Sequence, residues 1–347
     1  MTETPARSRR RPRYAGTHPR RFHEKYKELN PDRYVADVEH ITATGKTPAG
    51  THRPIMLAEV LECLRPVAGE TAVDCTLGGG GHASAIVERL QPGGRLIGLD
   101  VDPVELQKTE ARLRARGVAD DALVVRHGNF AGVDRVLAEL GVAGADVLLA
   151  DLGVSSMQLD NPARGFTYKE PGPLDLRMNQ TRGEPAHAMI ARLAAPQIAR
   201  LLAENADEPH ADLIAALLKR KPVTTTQALD RLVRNGIAAA HPQVGKPDLK
   251  MSVRRTLQAL RIAVNDEFSA LDALLRALPG VLRSGGRVAI LTFHSGEDRR
   301  VKKAFQAGAR AGVYAEVAKD VIRAAMAETR ANRRASSAKL RWAVRAG

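Results

Sequence analysis

The chain has 347 residues, enough for one large domain or two smaller ones, and 44% of them are hydrophobic. It has no apolar run of about 18 residues that could span a membrane, and its basic N-terminus lacks the apolar core of a signal peptide, so a cytoplasmic protein is expected. The formal net charge is +14, carried by the ends: residues 1–50 hold +5 and residues 299–347 hold +10, leaving a body of −1.

A nearly neutral body with two basic ends suits contact with a phosphate backbone. Aromatic residues are only 3% of the chain, which argues against a platform on which single-stranded bases stack. The two cysteines, Cys63 and Cys75, lie in apolar surroundings with no CxxC or zinc spacing. They read as core residues, and neither a disulfide framework nor a metal is expected.

Residues 1–48 are rich in Arg, Pro and Thr and lack a sustained apolar period, which predicts a basic, disordered arm. Met56 to Leu64 has helical spacing. Alternating elements follow: strands near 71–75, 95–99, 122–126 and 146–151, with helices over 82–90, 103–116 and 132–140. This alternation predicts a parallel sheet with helices on both faces. Asp102-Pro103 reads as an N-cap followed by a first-turn proline.

Residues 153–185 read as a long loop rich in Gly and Pro, of the kind that tends to be functional. Helical patterns run over Ala186–Leu193, Pro196–Glu204, Ala211–Arg220 and Thr226–Ala239, with Thr224-Thr225-Thr226 supplying an N-cap. A helix from Val253 continuing to Leu278 returns to the sheet. Gly285 to Phe293 is a turn and a strand, and Lys339–Val344 a final strand. The expected organisation is an α/β domain in two parts, the first over 49–165 and the second over 248–347, with a helical insertion over 166–247.

The densest chemistry lies in Asp74-Cys75-Thr76-Leu77-Gly78-Gly79-Gly80-Gly81-His82. Glycines between a strand and a helix let a ligand approach the backbone, and the helix start aims free N–H groups at the same place. Asp100, twenty-two residues after Gly78, falls at the neighbouring strand's tip, within reach of ribose hydroxyls. The glycines alone leave S-adenosylmethionine (SAM) and NAD both open. Asp74 favours SAM, because an acid there suits a cation and opposes a pyrophosphate. In such a sheet the ligand sits off the carboxyl ends of the strands, where Asp74, Asp100, Asn129-Phe130, Asp151 and His294 all fall.

These runs, with Asp151-Leu152-Gly153-Val154-Ser155-Ser156-x-Gln158-Leu159-Asp160, Arg164-Gly165-Phe166, Gly172-Pro173-Leu174-Asp175-Leu176-Arg177-Met178 and Phe293-His294-Ser295-x-Glu297-Asp298-Arg299, resemble the RsmH (MraW) family. That family methylates the exocyclic N4 amine of a cytosine in small-subunit ribosomal RNA. The resemblance covers roughly residues 51–305. It implies a Rossmann-like α/β SAM-dependent methyltransferase sheet with an inserted all-helical domain, with ribosomal RNA or the small subunit as partner. By motif it implies SAM contacts at Gly80, Gly81, His82, Asp100, Phe130, Asp151 and Gln158. Asp151 is the expected catalytic residue, with Arg177 and His294 expected at the RNA.

The chain departs from the family's pattern at Gly296, at 204–210 and at Met251–Arg254. A divergent paralogue acting on another RNA site, a ribosome-assembly protein that keeps a SAM pocket without turnover, and an NAD-dependent oxidoreductase stand as alternatives. The sequence leaves the oligomeric state open, a homodimer included.

Overall fold

The computed structural model describes residues 54–347; the arm expected over residues 1–48 lies outside the described residues. Seven strands form one sheet in the order β3-β2-β1-β4-β5-β7-β6. They are β1 (Thr71–Asp74), β2 (Arg95–Asp100), β3 (Leu123–His127), β4 (Ala145–Asp151), β5 (Leu282–Thr292), β6 (Tyr314–Val317) and β7 (Lys339–Arg345). The first five are parallel, and β7 lies antiparallel between β5 and β6. Strand order reverses between β1 and β4, which opens a crevice at their carboxyl ends.

Successive strand residues point to opposite faces, and the core divides accordingly. On one face Val73, Ile97, Leu148 and Ile290 meet Val133 and Leu137 of α4 (Val133–Glu139) and Leu271, Leu274 and Leu278 of α11 (Glu267–Val281). Val301 and Phe305 of α12 (Ser295–Arg310) join them. On the other face Ala72, Leu96, Leu149 and Leu291 meet α1 (Leu57–Leu64), α2 (Gly81–Leu90) and α3 (Pro103–Ala115). Cys75 is buried and Cys63 half-buried, and burial raises both thiol pKa values, that of Cys63 to about 11.

A third apolar cluster belongs to the helices α6 (Ala186–Arg192), α7 (Ala195–Ala206), α8 (Ala211–Arg220) and α9 (Thr226–Ala240) and to the first part of α10 (Lys246–Asn265). It takes in Phe166, Leu174 and Leu176 before the helices and Leu249, Val253, Leu257 and Leu260 after them. The N-caps read from sequence are made: Asp102 accepts from Val104 N and Glu105 N, and Thr225 from Ala228 N.

Three expectations change. The helix expected from Val253 to Leu278 is two helices, α10 and α11, broken at Asp266, whose φ of 49° is left-handed and cannot continue a right-handed helix. The first of them starts at Lys246 with a proline in its first turn. The loop over 153–185 carries α5 (Ser156–Asp160) and a 3-10 turn at Pro162–Arg164. Helix α12 and strand β6 were not read from the sequence at all. The charge-rich start of α12 hides the two large apolar positions, Val301 and Phe305, that bury it.

Candidate functional site

The tips of β1, β2, β3 and β4 and the residues after β5 converge on one edge of the sheet, and each tip carries a polar group. Asp74 ends β1 and is buried; its carboxylate accepts from Thr76 N at 3.0 Å. Thr76 in turn accepts from Asp151 N at 2.7 Å, fixing the tip of β4 against that of β1. Asp100 accepts from Gly78 N at 2.7 Å through one oxygen and from Asp102 N at 2.9 Å through the other.

The glycine turn is shaped from three sides. Gly78 and Gly80 have φ of 46° and 72°. A Cβ on Gly80 would come 2.6 Å from Thr109 Cγ2, and one on Gly81 2.5 Å from Pro54 Cγ. Side chains therefore do not fit where α3 and the residues before α1 close on the turn. Thr109 donates to the Gly78 carbonyl, and Arg112 to that of Gly79 at 3.0 Å. Beside Gly79 a Cβ would meet nothing within 4 Å.

His82, in the first turn of α2, is buried, with Nε2 3.0 Å from the Ile55 carbonyl and Nδ1 3.5 Å from Asp151 Oδ2. Burial lowers its pKa to about 4, so the ring is neutral near pH 7. The carboxylates shift the other way. Burial, with the Asp100 charge adding to it, raises Asp74 to about 7 despite its bonds from Thr76. Burial, then the charges of Asp74 and Glu297, raise Asp151 to about 8, although 28% of its side chain stays accessible. Asp100 is also raised, by burial. Crowded, poorly solvated acids of this kind gain from a cation placed among them.

Phe130 follows β3 in a short 3-10 turn capped by Asn129, and packs half-buried against the core under α11. Gln158 is 6% exposed, and its amide is committed: Nε2 donates to Asp102 at 2.9 Å, and Oε1 accepts from Ser155 N in a capping box. The structure thus gives it a holding role that the motif did not announce. Arg177 closes on its neighbour Asp175 through two nitrogens, at 2.8 and 2.9 Å, and on the Gly183 carbonyl. Its guanidinium folds the loop rather than standing free for RNA. His294 keeps only 10% of its side chain exposed, 3.1 Å from Glu297 and against Phe268, so little of the ring is open to an RNA.

His294, Glu297 and Glu267 lie close enough together to hold a cation. Both oxygens of Glu267, however, already accept from Arg261 at 2.8 Å. The group is read as a buried polar cluster in which Glu297 holds the end of β5 through Phe293 N. Gly296, one of the departures from the family's pattern, matters here: a Cβ on it would come 2.7 Å from Phe268 Cζ and 3.2 Å from His294 Nδ1.

Asp102 forms a hub that the motifs did not announce. One oxygen caps α3; the other accepts from Gln158 and, at 2.7 Å, from Arg164. Arg164 also donates to the carbonyls of Arg177 and Met178. Asp102 is buried, yet these bonds outweigh burial and lower its pKa. The Gln158 and Arg164 motifs are thereby locked to the tip of β2, where Asp100 stands. The only signal in the sequence was that an acid at an N-cap is followed, some sixty residues on, by an isolated Arg in a polar loop.

A profile of the MraW methylase family matches residues 49–346. The chain belongs to the MraW methylase family. Among its relatives, "Ribosomal RNA small subunit methyltransferase H 2" of Alkaliphilus metalliredigens (strain QYMF) is 46% identical over 342 residues, 97% of each chain. "Ribosomal RNA small subunit methyltransferase H 1" of Agathobacter rectalis is 45% identical over 343 residues, 97% of this chain and 98% of that one. Among solved structures, a putative rRNA-methylase from Clostridium thermocellum gives a TM-score of 0.42 at 10% identity, over 86% of this chain and 98% of that one, a likeness too loose to argue from. Membership of the methylase family removes the oxidoreductase alternative, and among the described residues no helix is long and apolar enough to cross a membrane.

Proposed function

We propose that this MraW-family chain is a SAM-dependent methyltransferase that methylates the N4 amine of a cytosine in 16S ribosomal RNA. The observation that carries the reading is the set of crowded acids, buried Asp74 and half-buried Asp100 and Asp151, at adjacent strand tips around the glycine turn. A sulfonium and an ammonium relieve their crowding, whereas a pyrophosphate would add to it. The residues present therefore fit SAM. Asp100 would take the ribose hydroxyls, the turn at Gly79 to Gly81 and His82 the amino-acid end, and Phe130 the adenine side. When bound, SAM supplies an electrophilic methyl group.

The rest falls to the chain's own groups. A cytosine amine is a weak nucleophile because its lone pair is delocalised into the ring. A hydrogen-bond acceptor on its N–H favours the pyramidal form whose lone pair can attack, and Asp151 is the acceptor at the right strand tip. The methylated nitrogen must then lose one proton, and a carboxylate with a raised pKa is suited to take it. Positioning supplies much of the remainder, and the target base must be unpaired or flipped out to reach the crevice. The 46% and 45% identical relatives are named as acting on small-subunit ribosomal RNA, which supports the substrate class. That substrate implies a cytoplasmic place of work.

Two measurements test the reading. The purified chain should transfer tritiated methyl from SAM to 16S RNA or small subunits lacking the mark. Mass spectrometry of ribosomal RNA from a deletion strain should show one methylcytosine lost. Transfer to another nucleotide would make the chain a paralogue with a different target. Tight SAM binding with no transfer to RNA or subunits would support the assembly-factor reading.

A further inference from the structure

The segment between β6 and β7 is tied to the residues before α1 and to the end of α5. It holds α13 (Met326–Ala331) and a 3-10 turn at Arg333–Ser337. One tether is Glu328, whose carboxylate accepts from Met56 N at 2.9 Å. Met56 directly follows Pro54 and Ile55, which close on Gly81 and His82. The other tether is Arg334, which donates to Asp160 at the end of α5, the helix that follows the tip of β4. A bridge between Ile322 and Leu340 fixes where the segment starts. The segment is thus tied both to the residues that close on the glycine turn and to the helix that follows the tip of β4.

Glu328 and Arg334 are spent on these tethers. Beyond Lys319 and Asp320, which lie next to the end of β6, the charges left over are Arg323, Arg330 and Arg333, all exposed, and none has a side-chain partner among the described residues. Met326 between them is 75% exposed. The segment contains no aromatic residue on which a base could stack. Three unpaired guanidiniums, held beside a crevice whose interior is acidic, attract an anion to the rim and not to the interior. Guanidinium matches phosphate in shape and charge.

We infer that Arg323, Arg330 and Arg333 form the rim that grips the RNA backbone next to the extruded base. This rests on the proposed function and assigns that function's substrate a surface. Phosphates held at the rim leave the base free to enter toward Asp151, and the contact carries no sequence information of its own.

The test compares wild type with an R323A/R330A/R333A variant and with a control, R65A/R89A/R310A. The control removes the same charge from helix ends at the opposite edge of the sheet. Binding of naked 16S RNA is measured by filter retention from 50 to 300 mM salt, SAM affinity by calorimetry, and methyl transfer separately. The rim variant should keep its SAM affinity and kcat, raise KM for RNA at least tenfold, and lower the salt slope by about 2, as loss of three single-strand phosphate contacts requires. The control should stay within twofold of wild type. Equal RNA affinity and slope in rim variant and wild type, or equal losses in rim variant and control, overturns the inference. Absence of methyl transfer by wild type that still binds RNA through the rim would overturn the proposed reaction and leave the rim standing.

Discussion

His82 and Asp151 face each other with Nδ1 3.5 Å from Oδ2, while the far nitrogen of the same ring meets the Ile55 carbonyl at 3.0 Å. A carbonyl can only accept, so Nε2 carries the imidazole's hydrogen and Nδ1 presents a bare lone pair to Asp151. Any proton between the two belongs to the carboxyl group. The pKa directions agree: His82 lowered to about 4, Asp151 raised to about 8. Burial and the neighbouring acids favour the protonated form of Asp151, and a cation placed beside it favours release of that proton.

Asp151→Asn keeps an acceptor oxygen but cannot take the amine's proton. It should lower kcat by about 10²–10⁴-fold, the range for a lost general base, with SAM affinity changed only a few-fold. Single-turnover methyl transfer alongside SAM calorimetry checks this. Near-normal turnover in the Asn variant would remove Asp151 from the chemistry.

Binding of SAM should expel protons. Asp74 and Asp151 hold protons up to about pH 7 and 8 in the folded chain, against 3.8 ordinarily. Folded acids with raised pKa bind protons that the unfolded chain has lost, so stability of the ligand-free protein falls as pH rises from about 4 to about 8. His82, depressed from 6.5 to about 4, acts only on the acid side of 6.5, where its stability contribution is lost as pH falls. Between pH 6.5 and 8 the acids act alone: Tm should drift down while SAM affinity rises. Calorimetry at pH 7 in phosphate and in Tris should give binding enthalpies that differ by roughly one proton's ionisation heat. Identical enthalpies in the two buffers would contradict this.

Breaking the Asp102 hub should unfold more than it inactivates. The Arg164 and Asp102 side chains are 10% and 3% exposed. Asp102→Ala strands a buried guanidinium and removes the cap of α3, which costs about 3–5 kcal/mol for the pair alone. Arg164→Lys keeps a charge but cannot serve Asp102 and the carbonyls of Arg177 and Met178 together. Chemical denaturation should rank wild type above Arg164→Lys and both above Asp102→Ala. A midpoint for Asp102→Ala close to that of wild type would show that the hub does not carry the loop.

Gly80→Ala should hurt twice, through its φ of 72° and through the approach of the new Cβ to Thr109 Cγ2. The backbone part is about 1–2 kcal/mol. Adding Thr109→Ser removes the crowding methyl and keeps the hydroxyl that bonds Gly78, so the double variant should regain part of the lost stability and SAM affinity. Thermal melts and SAM titrations of the single and double variants measure the coupling; strict additivity would mean that Thr109 does not shape the turn.

Much of this site was legible in the chain. Acids and glycines stood directly after short apolar runs, and a parallel sheet places all such positions on one edge, so Asp74, Asp100, Phe130 and Asp151 could be grouped without coordinates. The partners of polar side chains could not be read. Arg177 near Asp175, and Gln158 near Ser155, look in sequence like residues free for a ligand, and only the structure shows Arg177 donating to Asp175 and Gln158 accepting from Ser155 N while donating to Asp102. The break at Asp266 was hidden because one left-handed residue interrupts a helical pattern without disturbing its apolar spacing.

The sequence by itself determined the alternation of strands and helices, the glycine turn and the family, because these depend on local periodicity and on contiguous motifs. The tertiary structure decided which charges are spent and which are left. Asp102, Arg164, Glu328 and Arg334 pair across separations from 62 to 272 residues. Such pairing is set by how the sheet brings distant segments together, and no local pattern records it.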